Sequence, residues 1–342
     1  MRRMMVLSAA GVAAVAVGLV SYTFGLSRAV QEPAAIALPA KIPEPDIVTG
    51  TNPSPDPSPQ PQLTSTSPIA FPPPVNTAAT SNSICKNPHA LGVTRVVEID
   101  TSGGPGFGFE HFKQHDFLRD KEVVLTFDDG PWPTTHAVVK ALADECVRAT
   151  FFAIGKHATY YPEVLRGVAA AGHSVGSHTW SHQNLSKKSP EEAKAEIEKA
   201  ISAVQWALGD QAQEASFFRF PALQHPAEMV AYLGERNIAI FSTDMDSFDF
   251  KLRNPEQIIK SIMTKLQKHG KGIVLMHDFQ SGTSRALPQL LAELKAGGYK
   301  IVHMKSRSPV TTLPQYDAEL QRGQKLGPVN ERPTRSVVRD IQ

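Results

Sequence analysis

Along 122–304 the apolar positions fall into short β-branched or aromatic runs, each followed by a longer stretch with apolar residues three and four apart. That is the texture of strands alternating with amphipathic helices. The runs lie at 122–127, 149–154, 174–176, 216–220, 238–242, 272–276 and 299–304, which makes seven candidate strands. Helical spacing fills gaps at 134–146, 190–208, 255–268 and 284–295. Pro190 suits a first helical turn, because the amide it lacks would have had no partner there. Strict β–α alternation predicts a parallel sheet, and seven units without an internal break predict an α/β fold closed, or nearly closed, into a barrel.

The flanks read differently. Residues 6–26 carry no charge and follow Arg2 and Arg3. This 21-residue run is long enough to span a bilayer, and the arginines set its start on the cytoplasmic side, so 1–28 is expected to be an uncleaved membrane anchor. A cleaved signal peptide, with small residues near Ala35 and Ala37 as a poor cleavage site, is the alternative. Fourteen of the 27 prolines fall between Pro33 and Pro88. The stretch 29–88 is therefore expected to be a disordered linker, extended at ~3.1 Å per residue and able to hold a domain roughly 150 Å from its anchor. On this reading 89–306 form the folded domain on the periplasmic face, tethered to the membrane or secreted. The polar stretch 307–342 is expected to be an irregular tail.

Composition narrows the function. Thirty-five Lys+Arg against 33 Asp+Glu leave a net charge of +2, which provides no field to gather nucleic acid. Two cysteines 61 positions apart exclude a disulfide-rich scaffold, a CxxC redox centre and a four-cysteine zinc site. In an exported protein they are expected to form one disulfide, Cys85–Cys146.

Active-site residues of parallel barrels project from the carboxyl ends of strands, and polar residues cluster at those positions here. The first predicted strand runs into Thr126-Phe127-Asp128-Asp129-Gly130-Pro131. Adjacent carboxylates at a strand end point in different directions, so one can bind a metal while the other faces substrate or water. The doublet alone reads equally well as a turn of solvated aspartates. After the third strand, Ser177-His178-Thr179-Trp180-Ser181-His182 places histidines at i and i+4, where one helical turn would offer both imidazoles to one ion. By themselves such pairs are more often surface residues. With Asp129 they would make a set of two imidazoles and one carboxylate that leaves positions open for water and substrate. Arg219, Asp249 and His277 stand at three further strand ends.

In this order the motifs resemble those of the NodB-homology polysaccharide deacetylases, carbohydrate esterase family four, over about 185 residues from Lys121 to Met304. The resemblance implies a distorted (β/α)7 barrel of the glycoside hydrolase–deacetylase type. It implies Asp128 as general base, Asp129, His178 and His182 as metal ligands, and His277 as general acid. It further implies that Arg219 tunes Asp128, that Asp249 tunes His277, that Leu275 receives the acetyl methyl and that the Ala222 N–H serves the oxyanion. The metal would be zinc, or cobalt or a similar ion. Two positions depart from the family. Ala222 stands where an aromatic is usual and Phe250 where tryptophan is usual, which alters the substrate groove without removing a catalytic group.

The expected function is metal-dependent hydrolysis of acetyl groups, foremost N-acetyl, from a cell-envelope or extracellular polysaccharide. An O-acetyl esterase or an amidase for a small non-sugar molecule is the alternative within the chemistry. A non-catalytic glycan-binding protein is the alternative of another class. The glycine-rich 102–108 lacks the strand, helix entry and Lys-Ser/Thr of a phosphate loop, and is expected to cover a barrel edge or the groove rim.

Overall fold

The computed structural model describes Cys85 and residues 87–323. The expected anchor over 1–28, most of the expected linker and the end of the tail lie outside the described residues. Among the described residues no helix is long and apolar enough to cross a membrane.

Ten strands and nine helices follow one another among the described residues. The strands are β1 (Arg95–Ile99), β2 (Gly106–Phe107), β3 (Glu122–Asp128), β4 (Thr150–Ala153), β5 (Ser174–Ser177), β6 (Phe217–Phe218), β7 (Ala239–Phe241), β8 (Met245–Asp246), β9 (Gly272–His277) and β10 (Lys300–Ser306). The helices are α1 (Thr135–Asp144), α2 (Gly155–Tyr160), α3 (Pro162–Ala170), α4 (Pro190–Leu208), α5 (Ala227–Glu235), α6 (Asp249–Leu252), α7 (Pro255–His269), α8 (Ser281–Ala296) and α9 (Pro314–Gly323). Pro190 opens α4 as expected, behind a capping box in which Ser189 and Glu192 satisfy each other's backbone amides. Asn254 caps α7 and Gly270 ends it in the left-handed conformation.

Every ladder between named strands is parallel. Pairing runs β8-β9-β3-β4-β5-β6-β7. Only three residues separate β7 from β8, too few for a crossover, so this run leaves β6 at its start and joins β9 at its end, and the barrel closes through it. The seventh expected strand departs from the simple ring. β10 meets β3 only through Lys300 and Ile301 and then pairs along β1. Its Val302 and Met304 pack inward with Val124, Phe152, Phe217 and Ile273, so β10 plugs the amino-terminal end of the barrel.

The central strand β3 is buried at all seven positions because both of its faces are covered. Val124 points inward, whereas Val123, Leu125 and Phe127 pack outward against Val138 and Leu142 of α1 and Leu287 and Leu291 of α8. The same alternation turns Thr126 and Asp128 to the inside, and in β9 it turns Leu275 and His277 inside with Ile273. Cys85 and Cys146 are disulfide-bonded, with Cα atoms 5.7 Å apart.

The expected irregular tail is corrected in its first part. Val310 donates its amide to Glu214, and α9 lies on α4 with Lys199 and Glu319 paired at 2.7 Å. The expected edge cover is present: β2 of the glycine-rich stretch pairs with β7.

Candidate active site

Five strand ends, those of β3, β5, β6, β8 and β9, build the site. In register, Asp128 at the end of β3 lies beside His277 at the end of β9. Asp129 follows with φ 74°, ahead of a cis Gly130–Pro131 bond. Both carboxylates approach His178 Nε2, Asp129 Oδ1 at 3.4 Å and Asp128 Oδ2 at 3.9 Å, and they differ in their other partners.

Asp128 faces Arg219, whose Nη1 donates to Asp128 Oδ1 at 2.8 Å and to Thr126 Oγ1 at 2.7 Å. The guanidinium has no solvent exposure, lies 4.4 Å over the Phe152 ring, and gives its other donors to the carbonyls of Phe241 and Ser242. All its donor edges are anchored, so its charge is fixed in place beside the carboxylate. Burial raises the pKa of Asp128, and the Arg219 charge opposes that shift.

Asp129 Oδ1 lies 3.4 Å from His178 Nε2 and 3.5 Å from His182 Nε2. This oxygen is buried without a hydrogen-bond partner among the described residues, an expensive arrangement for a carboxylate. A tetrahedral ion with ligands ~2.0–2.1 Å away would hold its ligand atoms about 3.4 Å from each other, close to the two distances from Asp129 Oδ1 to the imidazoles, and all three ligand atoms lie within 4.8 Å of one another. His178 Nδ1–H donates to the Arg219 carbonyl at 2.7 Å, leaving the Nε2 lone pair directed at the cluster. Burial first, then the neighbouring His182, lowers the His178 pKa well below its usual value, and burial lowers His182 to about 4. Both imidazoles are thereby held neutral, the form that binds a metal. Burial pushes Asp129 up to about 7. The group therefore fits a divalent cation.

The helical placement expected for the two histidines is corrected. Residues 178–182 form a loop, in which Thr179 and His182 adopt φ values of 63° and 55°. Thr179 Oγ1 accepts the His182 amide, and Glu196 of α4 takes the amide and hydroxyl of Ser181. These bonds fold the loop so that the imidazoles lie 5.0 Å apart without a helical turn.

On the other side His277 Nδ1 and amide bond the two oxygens of Asp249 at 2.6 and 2.7 Å. Thr283 of α8 donates a third bond to that carboxylate. Burial alone would lower the His277 pKa; the charge and hydrogen bond of Asp249, with help from Asp129 and Asp128, outweigh it and raise it to about 10. The bonds from His277 and Thr283 keep Asp249 below the usual carboxylate range despite its burial. His277 Nε2 is left 3.8 Å from Asp129 Oδ2. Leu275 is buried on the His277 side of β9, Phe250 sets its ring 5.7 Å from that of His277, and Ala222 is exposed in the turn after β6.

All the predicted chemical groups thus converge at one end of the barrel. Several supporting residues do not stand out in the sequence. His157 bonds the Asp129 carbonyl, and its position just past the end of β4 is the one usable signal. Thr126 and Thr283 carry none, since a buried threonine reads as packing.

A family model described as polysaccharide deacetylase matches residues 116–240, which include Asp128, Asp129, His178, His182 and Arg219 but not Asp249 or His277. Chitin deacetylase 1 of Saccharomyces cerevisiae is 36% identical over 160 residues, covering 45% of this chain and 50% of that protein. Several curated relatives extend well beyond the shared region, and the chain spans half or less of their length. A solved peptidoglycan deacetylase of Bdellovibrio bacteriovorus shares 32% identity with a TM-score of 0.58, covering 66% of this chain and 62% of that one. Chitooligosaccharide deacetylase of a Bradyrhizobium species is 30% identical over 201 residues, 54% of this chain and 90% of that protein. With nearly the whole of that relative matched, and with the deacetylase motifs gathered at the mouth of a parallel barrel, the chain belongs to the polysaccharide deacetylase family.

Proposed function

We propose that the protein is a metal-dependent hydrolase that removes N-acetyl groups from an envelope or extracellular polysaccharide and releases acetate. The observation that carries this reading is a pair of groups suited to opposite proton transfers beside the Asp129–His178–His182 cluster, Asp128 Oδ2 3.9 Å from His178 Nε2 and His277 Nε2 3.8 Å from Asp129 Oδ2. Asp128 is held by a cation and His277 by an anion.

A divalent ion bound by Asp129, His178 and His182 would polarise the acetyl carbonyl and acidify a water. Asp128, kept in place by Arg219, takes the proton of the attacking water. As the carbonyl carbon becomes tetrahedral, the Ala222 N–H hydrogen-bonds the developing oxyanion. His277, positively charged beside Asp249, gives its Nε2 proton to the departing nitrogen while the carbon–nitrogen bond breaks. Water and amide become acetate and amine. An amine is a far poorer leaving group than an alcohol until it is protonated, and a protonated His277 would supply that proton.

The named relatives act on chitin, chitooligosaccharides and peptidoglycan, which supports an amino-sugar polymer as substrate. We infer an exported enzyme tethered to the cytoplasmic membrane. The uncharged 6–26, the proline-rich linker and the Cys85–Cys146 disulfide, which persists in oxidising compartments, support this. The test is acetate release by the full chain, with zinc and with chelator, from chitooligosaccharide, purified peptidoglycan and acetylated xylan. Zinc-dependent release from an N-acetyl polymer supports the reading. Release from xylan alone would move it to O-acetyl esters, and no release by zinc-loaded protein would overturn it.

A further inference from the structure

The glycine-rich stretch ahead of the barrel lies outside the family match, and the chemistry proposed above does not use it. Its backbone is nevertheless pressed against the barrel wall. A Cβ on Gly108, at φ 98°, would stand 2.6 Å from the Thr243 amide nitrogen, so this approach requires glycine. A Cβ on Gly106 would collide with the ring of Phe112, which folds back over the strand. The turn that follows carries His111 and Phe112 to the segment after β6. There the rings of His111, Phe112 and Phe220 lie 4.6, 4.9 and 5.2 Å from that of His225. Neither ring nitrogen of His225, both buried, has a hydrogen-bond partner of normal geometry among the described residues.

His225 closes the turn that carries Ala222. Ala222 and Leu223 are consecutive left-handed residues with φ of 52° and 53°, a conformation that side-chain-bearing residues hold only when their surroundings enforce it. Leu223 and Gln224 donate their amides to Phe220 and Pro221 at 3.0 and 3.2 Å, within the turn. His111 is itself fixed, with Nδ1 2.7 Å from Ser242 Oγ, and the Ser242 carbonyl accepts Arg219 Nη2.

We propose that His225, clasped by His111, Phe112 and Phe220, is a positioning residue that holds the 221–224 turn in the form that presents the Ala222 N–H to the oxyanion. The role is one of shape and not of proton transfer, and it gives the glycine-rich stretch a purpose: it brings the clasp to the turn. The proposal rests on the deacetylase reading above.

The test compares the zinc-loaded full chain with its His225→Ala and His225→Phe variants. The readouts are zinc content, kcat and KM on a chitooligosaccharide, and amide hydrogen exchange over 222–225. The expected result for His225→Ala is faster exchange confined to the turn, unchanged zinc, KM within about twofold, and kcat lower by about 10- to 100-fold. His225→Phe, which fills the same aromatic box without a titratable nitrogen, restores both exchange and kcat. Unchanged exchange or unchanged kcat in His225→Ala overturns the proposal, as does a loss of kcat that phenylalanine fails to rescue. A zinc-loaded wild type that releases no acetate refutes the deacetylase reading and the oxyanion role with it, whereas the exchange comparison by itself still decides whether His225 holds the turn.

Discussion

Asp128 and His277 are neighbours in register at the carboxyl ends of two adjacent parallel strands, and each is bonded to a buried group of opposite charge. Burial raises the Asp128 pKa and the Arg219 charge opposes that rise, whereas Asp249 stabilises the protonated form of His277. A base for water and an acid for the leaving group call for such opposite partners.

Asp128→Asn should remove the proposed base while leaving Asp129, His178 and His182 in place. Zinc content should stay at the wild-type level and kcat should fall by about 10²- to 10⁴-fold. Metal analysis alongside acetate release checks this, and turnover at the wild-type rate would dismiss the assignment.

Metal binding should account for the otherwise unpartnered Asp129 oxygen. In chelator, Asp129→Ala is expected to melt no lower than wild type, because the buried carboxyl makes few bonds worth losing. With zinc, wild type should gain stability and the variant should not. Melting curves with and without zinc decide it; equal stabilisation of both proteins would place the ion elsewhere.

The alkaline limb of the activity profile should report on Asp249. On the proposed mechanism His277 acts as an acid while protonated, so activity should decline as pH rises through its pKa, raised to about 10 by Asp249 against burial. Asp249→Asn removes the charge that raises it, and the limb should move to lower pH by roughly 1–3 pH units. A kcat profile with an unmoved limb would show that another group sets it.

Glu214 is expected to make stability fall with pH. Burial, reinforced by the charge of Glu198, raises its pKa well above the usual value, although the Ser177 hydroxyl donates to it. The folded state therefore retains a proton that the unfolded state releases near 4.5, and the contribution present below that pH is lost as pH rises through the folded pKa. Glu214→Gln, which cannot ionise, should flatten this decline and leave the protein more stable than wild type above neutral pH. Urea unfolding at pH 6 and pH 9 measures it; the same loss of stability between the two pH values in both proteins would count against the assignment.

Residues adjacent in the chain are legible from the sequence itself. TFDDGP and HTWSH each carry their chemistry within six residues, and the alternation of apolar runs locates all seven predicted strands to within a few positions. That legibility is physical: a parallel strand buried on both faces must be apolar until its end, so the first polar residues mark the mouth of the barrel. The i,i+4 spacing of the histidines draws attention to the pair but suggests a helix where a loop stands, because hydrogen bonds accepted by Thr179 and Glu196, not periodicity, bring the rings together.

What tertiary structure alone decided are contacts between residues distant in the chain. The Asp249–His277 pair spans 28 positions, the Arg219–Asp128 pair 91, and the clasp of His111 on His225 joins a stretch outside the family match to the turn after β6. The splaying of β10 out of the ring and the close approach of Gly108 to the barrel wall belong to the same class. Sequence alone determined which candidate side chains stand at strand ends. Their distances, partners and charge states follow from how separate strands pack, and packing depends on all the faces they bury together, which no local stretch of the chain encodes.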